Sequence, residues 1–143
     1  MARWFMVLIG LLFFSGQATA EDIAIIKHVQ GSVSIKRAGQ LLPAQPSNNL
    51  EAGDILITAA GSRIGVIFHD GSVLTLEENS LLRITAFEFK PIESKFKFNL
   101  DLSKGTTLFE SGKIGTLAPD KFSLDVPGGS IGIRGTKFLV EVR

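Results

Sequence analysis

Phe122-Ser123-Leu124-Asp125-Val126, then Pro127-Gly128-Gly129, then Lys137-Phe138-Leu139-Val140-Glu141-Val142: these pieces decide the fold. Phe122, Leu124 and Val126 alternate with Ser123 and Asp125, the period of a half-buried strand. Pro127 removes a ladder donor and the two glycines reach positive φ freely, so the strand ends there. Phe138, Val140 and Val142 resume the same period on a second strand. Between the strands, Ile131-Gly132-Ile133-Arg134-Gly135-Thr136 sets one arginine among apolar residues and glycines. That spacing predicts close backbone packing or a bulge. It also predicts a structural Arg134, with its guanidinium held by carbonyls or a carboxylate.

Working outward, turn signals recur about every eight to twelve residues, the rhythm of an all-β domain. Strands are expected over Ile23–Val29, Val33–Ile35, Ile55–Thr58, Arg63–Phe68, Val73–Leu76 and Leu81–Phe89. His69-Asp70-Gly71-Ser72 reads as a hairpin turn, since Asp-Gly suits positive φ. Pro43–Asn49 reads as the longest loop. From Lys95 to Leu102, Phe96, Phe98, Leu100 and Leu102 share one face and Lys95, Lys97, Asn99 and Asp101 the other. Ser103-Lys104-Gly105 is expected to turn this strand into another, Thr106–Glu110. The expected architecture is one compact all-β domain of about ten short strands, β-roll or solenoid-like, with a β-sandwich as the alternative.

Residues 1–20 have the order of a secretory leader. Arg3 is the charged region, Trp4–Phe14 the apolar core, and Ala18-Thr19-Ala20 the cleavage site. The apolar run is short for a bilayer span. The expectation is export to the periplasm, cleavage after Ala20, and no stable membrane insertion afterwards. Residues 21–143 then form a single domain, long enough to bury roughly two-thirds of its unfolded surface. Losing Arg3 lowers Lys+Arg from 15 to 14, equal to the 14 Asp+Glu. Such a balance sets up no field for nucleic acid or anionic lipid. The chain has no Cys, so an exported form must rely on its core instead of disulfides.

Chemistry-bearing patterns fail on context. Gly128-Gly129-Ser130-Ile131-Gly132 fits the nucleophile-elbow spacing, but a strand follows Ser130 and no His comes after it. His69 next to Asp70 would point oppositely on a strand, and turn chemistry already explains Asp70-Gly71. The acidic residues are scattered, which supports no Ca²⁺ or Zn²⁺ loop. No catalytic residue, cofactor or metal is expected. Lys95-Phe96-Lys97-Phe98 alternates as core and solvent faces do, so no nucleic-acid role is read from it.

Three segments, in order, resemble the FecR-domain family. The first is Ala52-Gly53-Asp54-Ile55-Leu56-Ile57-Thr58, with Gly61-Ser62-Arg63 following. The second is Phe68-His69-Asp70-Gly71-Ser72-Val73-Leu74-Thr75-Leu76. The third runs from Leu124 to Val140 and holds Arg134-Gly135-Thr136 and Phe138. The resemblance implies a non-catalytic all-β sensing module of the periplasm. In full-length relatives it implies a membrane helix, a cytoplasmic anti-sigma segment, and a signal from an outer-membrane transporter. No cytoplasmic helical segment is expected ahead of Met1, so what the resemblance is expected to carry over is the fold and a protein-binding role. Gly53, Asp54, Asp70, Gly71, Ser72, Arg134, Gly135, Thr136 and Phe138 are the family-motif residues.

The expected partner is another envelope protein, met through an edge strand or nearby turns. Terminal strands often lie at sheet edges, so Ile23–Val29 and Lys137–Val142 are the candidates. A small secreted hydrolase or metal-dependent enzyme is the competing reading; it requires convergent polar side chains in a pocket. An envelope-polymer or carbohydrate binder would need exposed aromatics, and residues 21–143 contain no Trp and no Tyr.

Overall fold

The computed structural model describes residues 20–133 and 135–143. The leader up to Thr19, and Arg134 with its expected anchoring, lie outside the described residues. Twelve strands follow in chain order: β1 (Asp22–Gln30), β2 (Val33–Arg37), β3 (Gln40–Pro43), β4 (Asn49–Glu51), β5 (Ile55–Thr58), β6 (Arg63–Phe68), β7 (Val73–Leu76), β8 (Leu81–Lys90), β9 (Lys95–Glu110), β10 (Phe122–Val126), β11 (Gly129–Ile131) and β12 (Lys137–Val142). A five-residue helix, α1 (Lys113–Leu117), precedes β10. The fold is all-β, as the alternation demands. The roll-like form comes from one sheet that curls into a half-barrel.

The main path of the sheet runs β3-β2-β5-β8-β9-β7-β6-β1-β4, and β10, β11 and β12 branch from it. Strand β9 is the spine. Its first half pairs with β8 along the whole hairpin and, over Phe98–Asp101, with β10 in the sheet's parallel ladder. Its second half pairs with β7 and β12, both antiparallel. The sheet bends between these halves at Gly105, where φ is +95°. A Cβ at Gly105 would run into the side chain of Ser80, so only glycine fits the bend.

The expected turn at Ser103-Lys104-Gly105 is therefore a correction: β9 is continuous through it. A glycine inside a strand pattern marks a bulge or close approach as readily as a reversal. The expected loop Pro43–Asn49 is shorter than read, because Pro43 closes β3 and Asn49 opens β4. The last apolar piece before Pro119 is the helix α1. The hairpin signal at Asp70-Gly71 holds, and the break expected at Pro127-Gly128-Gly129 is a second hairpin. Gly71 has φ +86° between β6 and β7, and Gly128 has φ +95° between β10 and β11.

The concave side carries the core. Phe98, Leu100 and Leu102 of β9 are fully buried, and Lys95 and Lys97 are exposed, as their alternation requires. Phe98 stacks edge-on against Phe87, Phe109 and Phe122 at 4.9 to 5.6 Å between ring centres, and Phe68 packs on it at 4.6 Å. Burying one such ring contributes about 2 kcal/mol by transfer alone. On the convex side, His28 of β1 lies over Gly65 of β6, its register partner, where a Cβ would displace the imidazole.

Strand β1 is not an edge, which corrects one of the two edge candidates. It pairs with β6 along its length, and over Asp22–Ile25 with β4 on its other side. Ile26 extends that cover through bonds to Ser47 and Asn48. Strand β12 pairs only with β9 among the described residues, so its outer edge is open, as expected.

Candidate interaction surface

The motif residues form two anchored turns and one open edge. At the first turn, Gly53 adopts φ +92° and donates its N–H to the Ile84 carbonyl at 2.6 Å. Asp54 is 1 % exposed. Its carboxylate accepts from Arg37 Nε at 2.9 Å, Arg37 Nη2 at 2.8 Å and the Glu51 N–H at 2.8 Å. The Arg37 fork also donates to the Asn49 carbonyl and lies 3.5 Å from Glu51. This bidentate bond to Asp54 raises the Arg37 pKa above its ordinary value; burial opposes the rise and the carboxylate charges add to it. Arg37 belongs to β2, next to the β3 end of the sheet path, and Asn49 to β4 at its other end, so the cluster links strands that are far apart along the path.

At the second turn, Asp70 is equally buried but meets only neutral donors. It accepts from the Ser72 N–H at 2.9 Å, the Ser72 hydroxyl at 2.8 Å and the Ile114 N–H at 3.2 Å. The Ser72 hydroxyl oxygen accepts from the Gly112 N–H at 2.8 Å, and the Asp70 carbonyl accepts from Lys113 at 2.8 Å. A Cβ on Gly112 would collide with the backbone of residues 70–72. The hairpin turn thus receives the start of α1. Both Asp70 carboxylate oxygens are spent on these bonds and His69 is exposed, so the adjacent pair has no acid–base geometry.

The third segment joins the second across one stretch of chain. The Thr136 carbonyl accepts from the Ser111 N–H at 2.8 Å, one residue before Gly112. Val73 of β7 and Lys137 of β12 both stand opposite Glu110, one on each side of β9. Gly135 supplies φ +76° where the chain enters β12. Phe138 then packs inward on Phe109 at 5.4 Å. The first turn stays apart: no hydrogen bond links Asp54 to the other motif residues among the described residues.

What remains exposed is β12 itself. Phe138, Val140 and Val142 are half-buried, whereas Lys137, Leu139 and Glu141 face solvent, with Leu139 63 % exposed. A cleft of about 440 Å³ opens between β11 and β12, lined by Ser130, Ile131, Gly132, Phe138, Leu139 and Val140. Ser130 sits on β11 and donates to Asp125 at 2.7 Å, in a hairpin and not an elbow. Among the described residues no group of His, Asp or Glu side chains could hold a metal ion. No helix among them is long and apolar enough to cross a membrane.

Sequence reasoning missed Arg37 as the partner of Asp54 and Ile114 as a donor to Asp70. Both pairings span long stretches of chain, so no local pattern announces them; Gly112 is the one cue, a glycine where no reversal of strand direction is needed.

The described residues thus form an all-β module with two structural carboxylates and an open, apolar-lined edge. The chain belongs to the FecR family: the family model described as FecR protein matches residues 54–143, more than half of the chain. That family is one of envelope signalling regulators, generally non-catalytic, and works with protein partners. Comparison with curated proteins and with solved structures gave no match.

Proposed function

We propose that the chain is an exported, periplasmic FecR module that recognises another envelope protein by strand addition at β12. The observation that carries this reading is the open edge of a six-residue strand beside the β11–β12 cleft. An open edge offers unpaired N–H and C=O groups to an extended partner, and the cleft offers room for its alternate side chains. The family's signalling role supports a protein partner.

The test is Leu139→Pro, which removes a backbone donor from β12. Partner capture from envelope extract and far-ultraviolet dichroism are measured on the same material. Lost capture with an intact spectrum supports recognition at β12. Full capture by the folded variant overturns it and moves the search to the turns around Asn48. Export is checked by intact mass of periplasmic material: a chain starting at Glu21 is expected, and retention of Met1–Ala20 in the membrane fraction would sink the periplasmic assignment.

A further inference from the structure

We infer that the edge of β12 also pairs with a second copy of this chain, in an antiparallel β12–β12 ladder about a two-fold axis through Leu139. The inference rests on the reading of β12 as the recognition edge, and adds a partner of defined chemistry to it.

Other open edges are shorter or stopped by proline. Strand β3 has four residues and ends in Pro43, β4 and β11 have three each, and the far half of β8, Ala86–Lys90, pairs only with β9 among the described residues and runs into Pro91. Short edges and proline are the usual guards against strand addition. Strand β12 has six residues, no proline, and an exposed leucine at its middle.

Its sequence is self-complementary in one register. Antiparallel pairing places opposed side chains on the same face of the sheet. A copy of β12 must therefore set Lys137, Leu139 and Glu141 against one another, and Phe138, Val140 and Val142 against one another. With the axis through Leu139, Lys137 of each copy meets Glu141 of the other, twice, around a central Leu139–Leu139 contact. On the opposite face Phe138 meets Val140 beside the cleft. Moving the axis to Val140 sets Lys137 against Arg143 and Leu139 against Glu141. Moving it to Phe138 sets Lys137 against Leu139 and leaves Glu141 against Gly135. Charge complementarity thus selects the Leu139 register. The existing partners do not compete strongly: Lys137–Glu110 and Glu141–Arg143 are exposed pairs at 3.3 Å, of the kind that contributes little. The contact is isologous and closes as a dimer, so it does not propagate into fibres.

The test is sedimentation equilibrium of the chain as recovered from the expressing cell, over the micromolar range, with dichroism as the check on folding. A concentration-dependent monomer–dimer equilibrium is expected. Leu139→Asp, which places two carboxylates at the axis, should abolish it. Lys137→Glu and Glu141→Lys should each weaken the dimer at least about tenfold, because each sets like charges opposite one another twice. The combined reversal should restore it to within a few-fold. A Val140-centred dimer would respond with the opposite sign, since Lys137→Glu would tighten it, and that result overturns the assignment. So does a monomer at every concentration, or a dimer indifferent to Leu139→Asp. A monomeric wild type that still captures an envelope protein through β12 would sink self-pairing and leave the recognition reading standing.

Discussion

Asp54 and Asp70 look alike in sequence and in burial, and are held in opposite ways. Each sits beside a glycine of positive φ and each is 1 % exposed. Asp54 faces a cation, the 30 %-exposed Arg37, whose outer side still touches water. Asp70 faces only N–H and O–H donors from its own turn and from the start of α1, and no ion pair reaches it among the described residues. The lesson is that a buried carboxylate can be satisfied by charge or by converging neutral donors. The second arrangement has less recourse to solvent when broken.

The largest expected effect is therefore at Asp70. Asp70→Ala leaves the Ser72 N–H, the Ser72 hydroxyl and the Ile114 N–H short of an acceptor. It should cost about 3–4 kcal/mol, read as a shift of the urea midpoint. Hydrogen exchange should report faster exchange at Ile114 than at Leu56. Asp54→Ala should cost less, about 2 kcal/mol, because the guanidinium can turn to water and to Glu51. If Asp54→Ala proves the more damaging, the contrast between the two sites is wrong.

Arg37→Lys keeps the charge and loses the fork, and should cost about 1 kcal/mol in the same assay. Smaller still is the response to salt. Raising it to about 1 M should reduce the penalty of Asp54→Ala by a few tenths of a kcal/mol and leave that of Asp70→Ala unchanged. The pH response of Arg37 follows from its sign. A pKa raised by folding gives stability that is present at lower pH and lost only as pH climbs through the folded value. That value lies above the ordinary arginine range, so thermal melts should show no step from Arg37 between neutral and mildly alkaline pH.

The sequence carries its strands openly where one face is buried and the other wet. Phe122–Val126, Phe138–Val142 and Lys95–Leu102 were legible for that reason, and Asp70-Gly71 was legible as a turn because its chemistry is local. Gly105 was ambiguous, since positive φ serves a bend within a strand as well as a reversal of it. The interior position of β1 was hidden because its cover, β4, comes from over twenty residues downstream. For the same reason the open edge of β12 was visible as a terminal strand, while the tie from Thr136 to Ser111 was not.

The continuity of β9 sets the order in which the molecule can assemble. Over Phe98–Asp101 it is bordered by β8, made earlier, and by β10, made later; over Thr107–Glu110 it is bordered by β7, made earlier, and by β12, made later. A chain emerging from its N-terminus can zip β1 to β9 into a partial sheet. It must then wait, with one side of β9 bare, for the last twenty or so residues. Non-local pairing of this kind is slow, and a bare strand invites intermolecular pairing meanwhile. Pulse-labelled hydrogen exchange during refolding should find amides of β6 to β8 protected before those of β12, so that the strand with the open edge is also the last to find its place.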